Sequence, residues 1–149
     1  MSFQQPADYA GELSVGDAYA LLKEDQKAEL VDVRTQAEWA WVGVPDLSGL
    51  GKTPVFIEWA SYPGMRRAPD FAQRVIAELT ERGADPGTPV LFLCRSGVRS
   101  LGAARALTSA GWRRCYNVSE GFEGGLDPAT HRRGALGGWR AGGMPWTQT

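Results

Sequence analysis

Short apolar runs alternate along the chain with longer stretches in which apolar residues recur every three or four positions. Ala28 to Val33 (AELVDV), Val55 to Trp59 (VFIEW), Val90 to Leu93 (VLFL) and Cys115 to Val118 (CYNV) are the compact runs, and each predicts a strand. Leu13 to Lys23 predicts a short helix capped by Ser14, with Val15, Ala18, Leu21 and Leu22 on one face. Thr35 to Trp41 predicts a second short helix. Pro69 to Arg82 predicts a third, with Phe71, Val75, Ile76 and Leu79 inward and proline in its first turn. Val98 to Ser109 predicts a fourth. Glycine and proline punctuate the loops, most densely in VGVPDLSGLGKTP and between Gly83 and Pro89. Strands alternating with helices at this spacing predict an α/β domain with parallel pairing. Residues 8–126 are assigned to that domain. Residues 127–149 are read as an irregular tail packed on it, with room for one short helical turn and with Trp139 and Trp146 as its large apolar groups.

Composition narrows the class without identifying it. The chain has 149 residues, enough for one domain with a real core. Its 16 basic and 17 acidic residues nearly cancel, so no broad field favours nucleic acid or an anionic membrane. Neither partner is expected. No apolar stretch approaches the roughly 20 residues of a membrane span, and no basic-then-apolar start suggests a signal peptide. Two cysteines, Cys94 and Cys115, make no disulfide framework and fit a reducing, cytoplasmic setting.

The chemistry concentrates after the third strand, in CRSGVRS. Ligands of parallel α/β sheets bind at the carboxyl ends of strands, and Cys94 falls at such an end. A turn into a helix N-terminus aims backbone N–H groups and the helix dipole at one spot. Both favour thiolate over thiol. Arg95 and Arg99 add charge that cannot be titrated away, Gly97 permits unusual backbone angles, and the hydroxyls of Ser96 and Ser100 can donate further hydrogen bonds. With Val98, these residues form a predicted anion cradle around a nucleophile. Cys115 opens an apolar strand with no cradle behind it and is read as structural. His131, in the tail, is not expected to act as a base.

At these residues the chain resembles the rhodanese domains, which carry sulfur as a cysteine persulfide. LVDVR at Leu30 to Arg34 with Glu38 and Trp39, CRSGVRS at Cys94 to Ser100, NVSEGFEGGLD at Asn117 to Asp127 and the ending GGWRAGGMPW carry the resemblance. WVGVPDLSGL stands where many relatives have Gly-His-Ile-Pro-Gly-Ala. The resemblance implies a three-layer α/β fold, a five-stranded parallel sheet with helices on both faces. It also implies a reaction without metal or organic cofactor. Cys94 would take the outer sulfur of a small anionic donor, thiosulfate, and pass it to cyanide, a cellular thiol or a protein acceptor. Arg95, Ser96, Gly97, Val98, Arg99 and Ser100 would bind the donor, with Arg99 contributing more than Arg95. The resemblance gives Asp32 and Arg34 the task of orienting the loop. A structural reading stays open beside it for Asp32, and an ion pair of Arg34 with Glu38, one helical turn along, is expected. Arg66 and Arg67 are expected in a solvated loop at the pocket rim, and Trp59 and Tyr62 in packing.

Two rivals share the nucleophile. A persulfide carrier in a sulfur relay needs the same cysteine. A phosphatase of the cell-cycle type shares the fold, but such enzymes carry one residue more between cysteine and arginine than the four found here. The shorter ring leaves less room for phosphate oxygens. Thiosulfate is therefore expected over aryl phosphates, and also over mercaptopyruvate, whose enzymes have fewer charges in this loop.

Overall fold

The computed structural model describes residues 8–61, 64–132 and 137–148. In chain order its elements are β1 (Gly11–Leu13), α1 (Val15–Glu24), β2 (Glu29–Asp32), α2 (Gln36–Trp41), β3 (Val44–Pro45), β4 (Val55–Phe56), β5 (Ala60–Ser61) and β6 (Arg66–Arg67). There follow α3 (Phe71–Glu81), β7 (Val90–Leu93), α4 (Val98–Ser109), β8 (Cys115–Val118), α5 (Gly138–Ala141) and β9 (Trp146–Thr147). Strands β1, β8, β7, β2 and β4 lie side by side in that order, and every pairing in this sheet is parallel. The fold is the expected α/β arrangement with a five-stranded parallel sheet.

The alternation of side chains across the sheet builds two cores. On β7, Val90 and Phe92 face one way, into a cluster with Phe71, Val75 and Leu79 of α3 and Ala103, Ala104 and Leu107 of α4. Leu91 and Leu93 face the other way, towards Val15, Ala18 and Leu22 of α1 and towards Phe122 and Trp139. Because helices cover both faces, β7 is apolar at every position and wholly buried. Helix α1 starts where its cap predicts: Ser14 accepts a hydrogen bond from the Asp17 N–H.

Several boundaries differ from expectation. Gly11–Leu13 pairs with β8 as the sheet's outer strand, so Leu13 ends a strand rather than opening a helix. The Val55 run is regular over only two residues, although Ile57 and Trp59 still donate to the carbonyls of Asp32 and Val33. Helix α3 begins at Phe71, two residues beyond Pro69. The glycine-rich C-terminal segment reaches the interior. Trp139 is fully buried and meets Tyr19 edge-on at 5.9 Å, while β9 pairs antiparallel with β3. Trp59 packs against Phe71 with ring centroids 4.9 Å apart, whereas Tyr62 lies outside the described residues. No helix among the described residues is long and apolar enough to cross a membrane.

Candidate active site

Strand β7 delivers Cys94 to the carboxyl end of the sheet, and the chain then turns sharply into α4. Gly97 caps that helix with φ of 104°, and a Cβ there would run into the carbonyl oxygen of Ser119. The turn aims two donors at the cysteine sulfur: the Gly97 N–H at 3.1 Å and the Ser100 hydroxyl at 3.2 Å. Cys94 is itself only 1% exposed. Ser100 is buried and Ser96 half-buried, whereas the side chains of Arg95 and Val98 face solvent.

A second segment braces the turn from behind. The Phe122 and Glu123 N–H groups donate to the carbonyls of Cys94 and Arg95 at 2.8 and 3.0 Å. Gly121, with φ of 68°, lies against the Arg95–Ser96 backbone where no side chain would fit. The C-terminal segment in turn holds this brace, since Trp139 N–H donates to Gly121 O and Arg140 N–H to Phe122 O. Burial of Trp139 therefore supports the Cys94 turn at one remove.

The charged residues pair differently from the local expectation. Arg34 does not reach Glu38. Its guanidinium folds back onto the Asp32 carboxylate, with Nη2 at 2.7 Å and Nε at 3.0 Å, and Nη2 also donates to Gly43 O. Asp32 and Arg34 are two residues apart, so both project to the same side as β2 ends. Both are completely buried, and Arg34 lies 4.2 Å over the Phe122 ring. Asp32 thus braces the cysteine turn through Arg34 and Phe122, and its charge also acts on Arg99.

Glu38 turns instead towards α4. It takes both ends of the Arg99 guanidinium, at 2.7 and 2.9 Å, while accepting from the Thr35 backbone in a capping box at the start of α2. Burial alone would raise the Glu38 carboxyl, but Arg99 and the Thr35 donors outweigh it and hold it below its ordinary value. Burial also opposes the charge on Arg99, and Glu38 more than compensates, raising that group further. Arg99 is therefore a neutralised cation. Arg95 has no ion-pair partner among the described residues.

Glu38, Val42, Met65, Arg95, Arg99 and Glu123 line a cleft of about 420 Å³ at this end of the sheet. Met65 belongs to the turn of the β5–β6 hairpin, and Arg66 and Arg67 are exposed on that hairpin, Arg67 stacked 4.5 Å over Trp59. A larger concavity of about 660 Å³ runs along β4 and α3, but no residue of the cysteine turn lines it. His131 sits in an exposed loop. Cys115 is buried under α4, and burial pushes its thiol up to about 11, which fits a structural role. Among the described residues no cluster of side chains is suited to hold a metal ion.

Sequence reasoning missed Asn117 and the partner of Arg99. Asn117 touches Ser100, Gly97 and Glu12 from the middle of β8. Its one legible signal was a carboxamide inside an otherwise apolar strand.

A parallel five-stranded sheet with a cysteine turn at the end of its central strand defines a rhodanese-like domain. Residues 10–149 match the family described as the STR4 middle domain, and the chain belongs to it. Among solved structures it is similar to Rv0390 from M. tuberculosis, at 50% identity and a TM-score of 0.81, over 95% of this chain and 99% of that one. It is also similar to the polysulfide-sulfur transferase homodimer of Wolinella succinogenes, at 26% identity and a TM-score of 0.57, covering 96% and 81% of the two chains. The protein RC0915 of Rickettsia conorii is 35% identical over 129 residues, 87% of this chain and 90% of its own. The family is of sulfurtransferase type.

Proposed function

We propose that the protein transfers sulfane sulfur through a persulfide on Cys94, with thiosulfate as donor. The observation that carries this reading is the pair of donors on the Cys94 sulfur at the mouth of a helix, in a turn whose Arg95 and Arg99 line an open cleft. In the first step the Cys94 thiolate attacks the outer sulfur of thiosulfate. A new S–S bond forms at Sγ, the S–S bond of thiosulfate breaks, and its electron pair leaves with sulfite. The Gly97 N–H and the other amides of the turn stabilise charge as it moves. In the second step a cyanide or thiolate acceptor attacks the terminal sulfur and returns Cys94 to its thiolate.

Arg95, Ser96, Gly97, Val98, Arg99 and Ser100 form the donor site in this proposal. Arg95 takes the larger share of anion attraction, because Glu38 already balances Arg99. This reverses the order expected from sequence. A local similarity supports the choice of donor: the thiosulfate sulfurtransferase GlpE of Tolumonas auensis is 39% identical over 56 residues. Polysulfide, named for the Wolinella protein, offers the same chemistry, an outer sulfur beside an anionic leaving group.

Intact mass after mixing with thiosulfate tests the proposal. One added sulfur is expected on the protein and none on Cys94→Ser. Sulfur on Cys115, or no uptake from either thiosulfate or polysulfide, overturns it.

A further inference from the structure

The Ser100 hydroxyl has one hydrogen and two acceptors within reach. Cys94 Sγ lies at 3.2 Å and Asn117 Oδ1 at 2.5 Å. The orientation of Asn117 is settled by its other contacts. Its Nδ2 faces Gly97 O at 3.1 Å and Glu12 Oε1 at 2.9 Å, and both of those atoms only accept. The carboxamide oxygen must therefore point at Ser100. Glu12 is held in place by the Tyr9 hydroxyl at 2.6 Å. Ser100 is fully buried and Asn117 is 3% exposed, so water does not readily substitute for either partner.

We propose that Asn117 is a positioning residue for the Cys94 nucleophile, acting through the Ser100 hydroxyl. The proposal rests on the sulfur-transfer reading of the site only for its role in turnover. With Cys94 as thiol, the chain runs in one direction: S–H donates to Ser100 Oγ, whose hydrogen goes to Asn117 Oδ1. Formation of the thiolate removes that first donor, and the sulfur then competes with Asn117 for the Ser100 hydrogen. Once sulfur has been transferred, the charge sits on the outer sulfur, and the Ser100 hydrogen returns to Asn117. Asn117 thus opposes charge on Sγ and leaves charge on the outer sulfur unopposed, which favours the loaded state.

Capture of Cys94 by iodoacetamide, followed across pH, isolates this effect because it needs no sulfur donor. The assay is run in a Cys115→Ser background, which leaves Cys94 as the one thiol to be captured. Arg99 on α4 is the charged group acting directly on the cysteine, Asp32 and Glu38 act on Arg99, and Glu12 on β1 faces Asn117; all four are kept. Ser100→Ala should slow capture at neutral pH by about tenfold, the lower end for a lost hydrogen bond to a charged group, and move the profile to higher pH. Asn117→Leu should speed capture several-fold and move the profile to lower pH. In the Ser100→Ala background, Asn117→Leu should change nothing. Asn117→Ala carries the same expectation should leucine prevent folding, which thermal melting reports. An unmoved profile in the folded Asn117 variants overturns the proposal. So does a shift of equal size with and without Ser100, as a merely structural Asn117 would give. Failure of sulfur uptake with this coupling intact would instead count against thiosulfate transfer alone.

Discussion

Replacing Glu38 by Gln separates the two things that its contact with Arg99 does. The carboxylate receives two guanidinium hydrogen bonds, and the two side chains are 14% and 17% exposed, so solvent screens them little. A hydrogen bond to a charged group contributes about 1.5–3 kcal/mol. Gln keeps an acceptor for the Thr35 cap and for one Arg99 donor but loses the charge, so a loss of about 2 kcal/mol is expected, at the lower part of that range. For a chain of this length each kcal/mol moves Tm by about 2–4 °C, giving a fall of ~4–8 °C at neutral pH. The sign with pH follows from Glu38 lying below its ordinary value in the folded protein. Its stabilisation is complete above the unfolded carboxylate range and fades as pH falls through the lower folded value. A protonated Glu38 is then as neutral as the substituted glutamine, and the gap between wild type and variant should close on acidification. Thermal melts from neutral pH down to about pH 3 would measure it. A gap of constant size over that range would refute the attribution to the ion pair. The same variant leaves Arg99 uncompensated at the cleft, so KM for thiosulfate should fall several-fold.

Cys94→Ser should abolish sulfur uptake with melting unchanged, because a serine hydroxyl is not ionised near neutral pH, while Cys115→Ser should leave uptake intact; mass and Tm check both. Arg95→Ala should raise KM for thiosulfate more than Arg99→Ala does, and Arg99→Ala should lower Tm more, read by steady-state rates and melts of the two variants. Trp139→Ala should cost about 3–5 kcal/mol, as expected for emptying a buried indole site, and should slow Cys94 chemistry in the fraction that stays folded, since the turn loses its brace. Denaturant unfolding with parallel activity measurements would show a stability loss without a rate loss if that bracing were absent.

The parts of the fold that could be read from the chain are those in which local pattern and burial agree. VLFL is buried on both faces, and an unbroken apolar run is what such a strand requires. Helices α1 and α3 carry their apolar residues at helical spacing, with Val15, Ala18 and Leu22, then Phe71, Val75 and Leu79, buried. Strand β1 was illegible because GEL contains one apolar side chain, and its stability comes from β8 beside it. The mispairing of Glu38 has a similar cause. Spacing along a helix suggests the neighbour four positions away, but the actual partner lies 61 residues further on. The turn CRSGVRS announced its chemistry, while the groups that orient it (Phe122, Asn117 and Trp139) come from a strand and a glycine-rich segment whose role depends on where the chain returns. Glycine density there suggested irregular coil. Close crossing of backbones is its physical meaning, since Gly124 and Gly138 pack with no room for a side chain on either.

The charge around the cleft gives a final test. Arg95 and Arg99 are matched by Glu38 and Glu123, so its lining carries no net formal charge. Attraction of a dianion to this site cannot depend on a broad positive field. On the proposed reading it comes from directed donors at short range: the Gly97 N–H, the helix terminus behind it and the Arg95 guanidinium. Short-range donors inside a partly desolvated turn are screened weakly by salt, whereas a field acting over a Debye length of about 10 Å at 0.1 M is screened strongly. Therefore kcat/KM for thiosulfate should fall only modestly as ionic strength rises from low to physiological values. In Glu38→Gln, where one arginine is released from its partner, the same titration should fall more steeply. Measuring both proteins in an inert salt tests the balance directly. A steep dependence in the wild type, equal to that of the variant, would mean that Glu38 does not neutralise Arg99 where the donor binds.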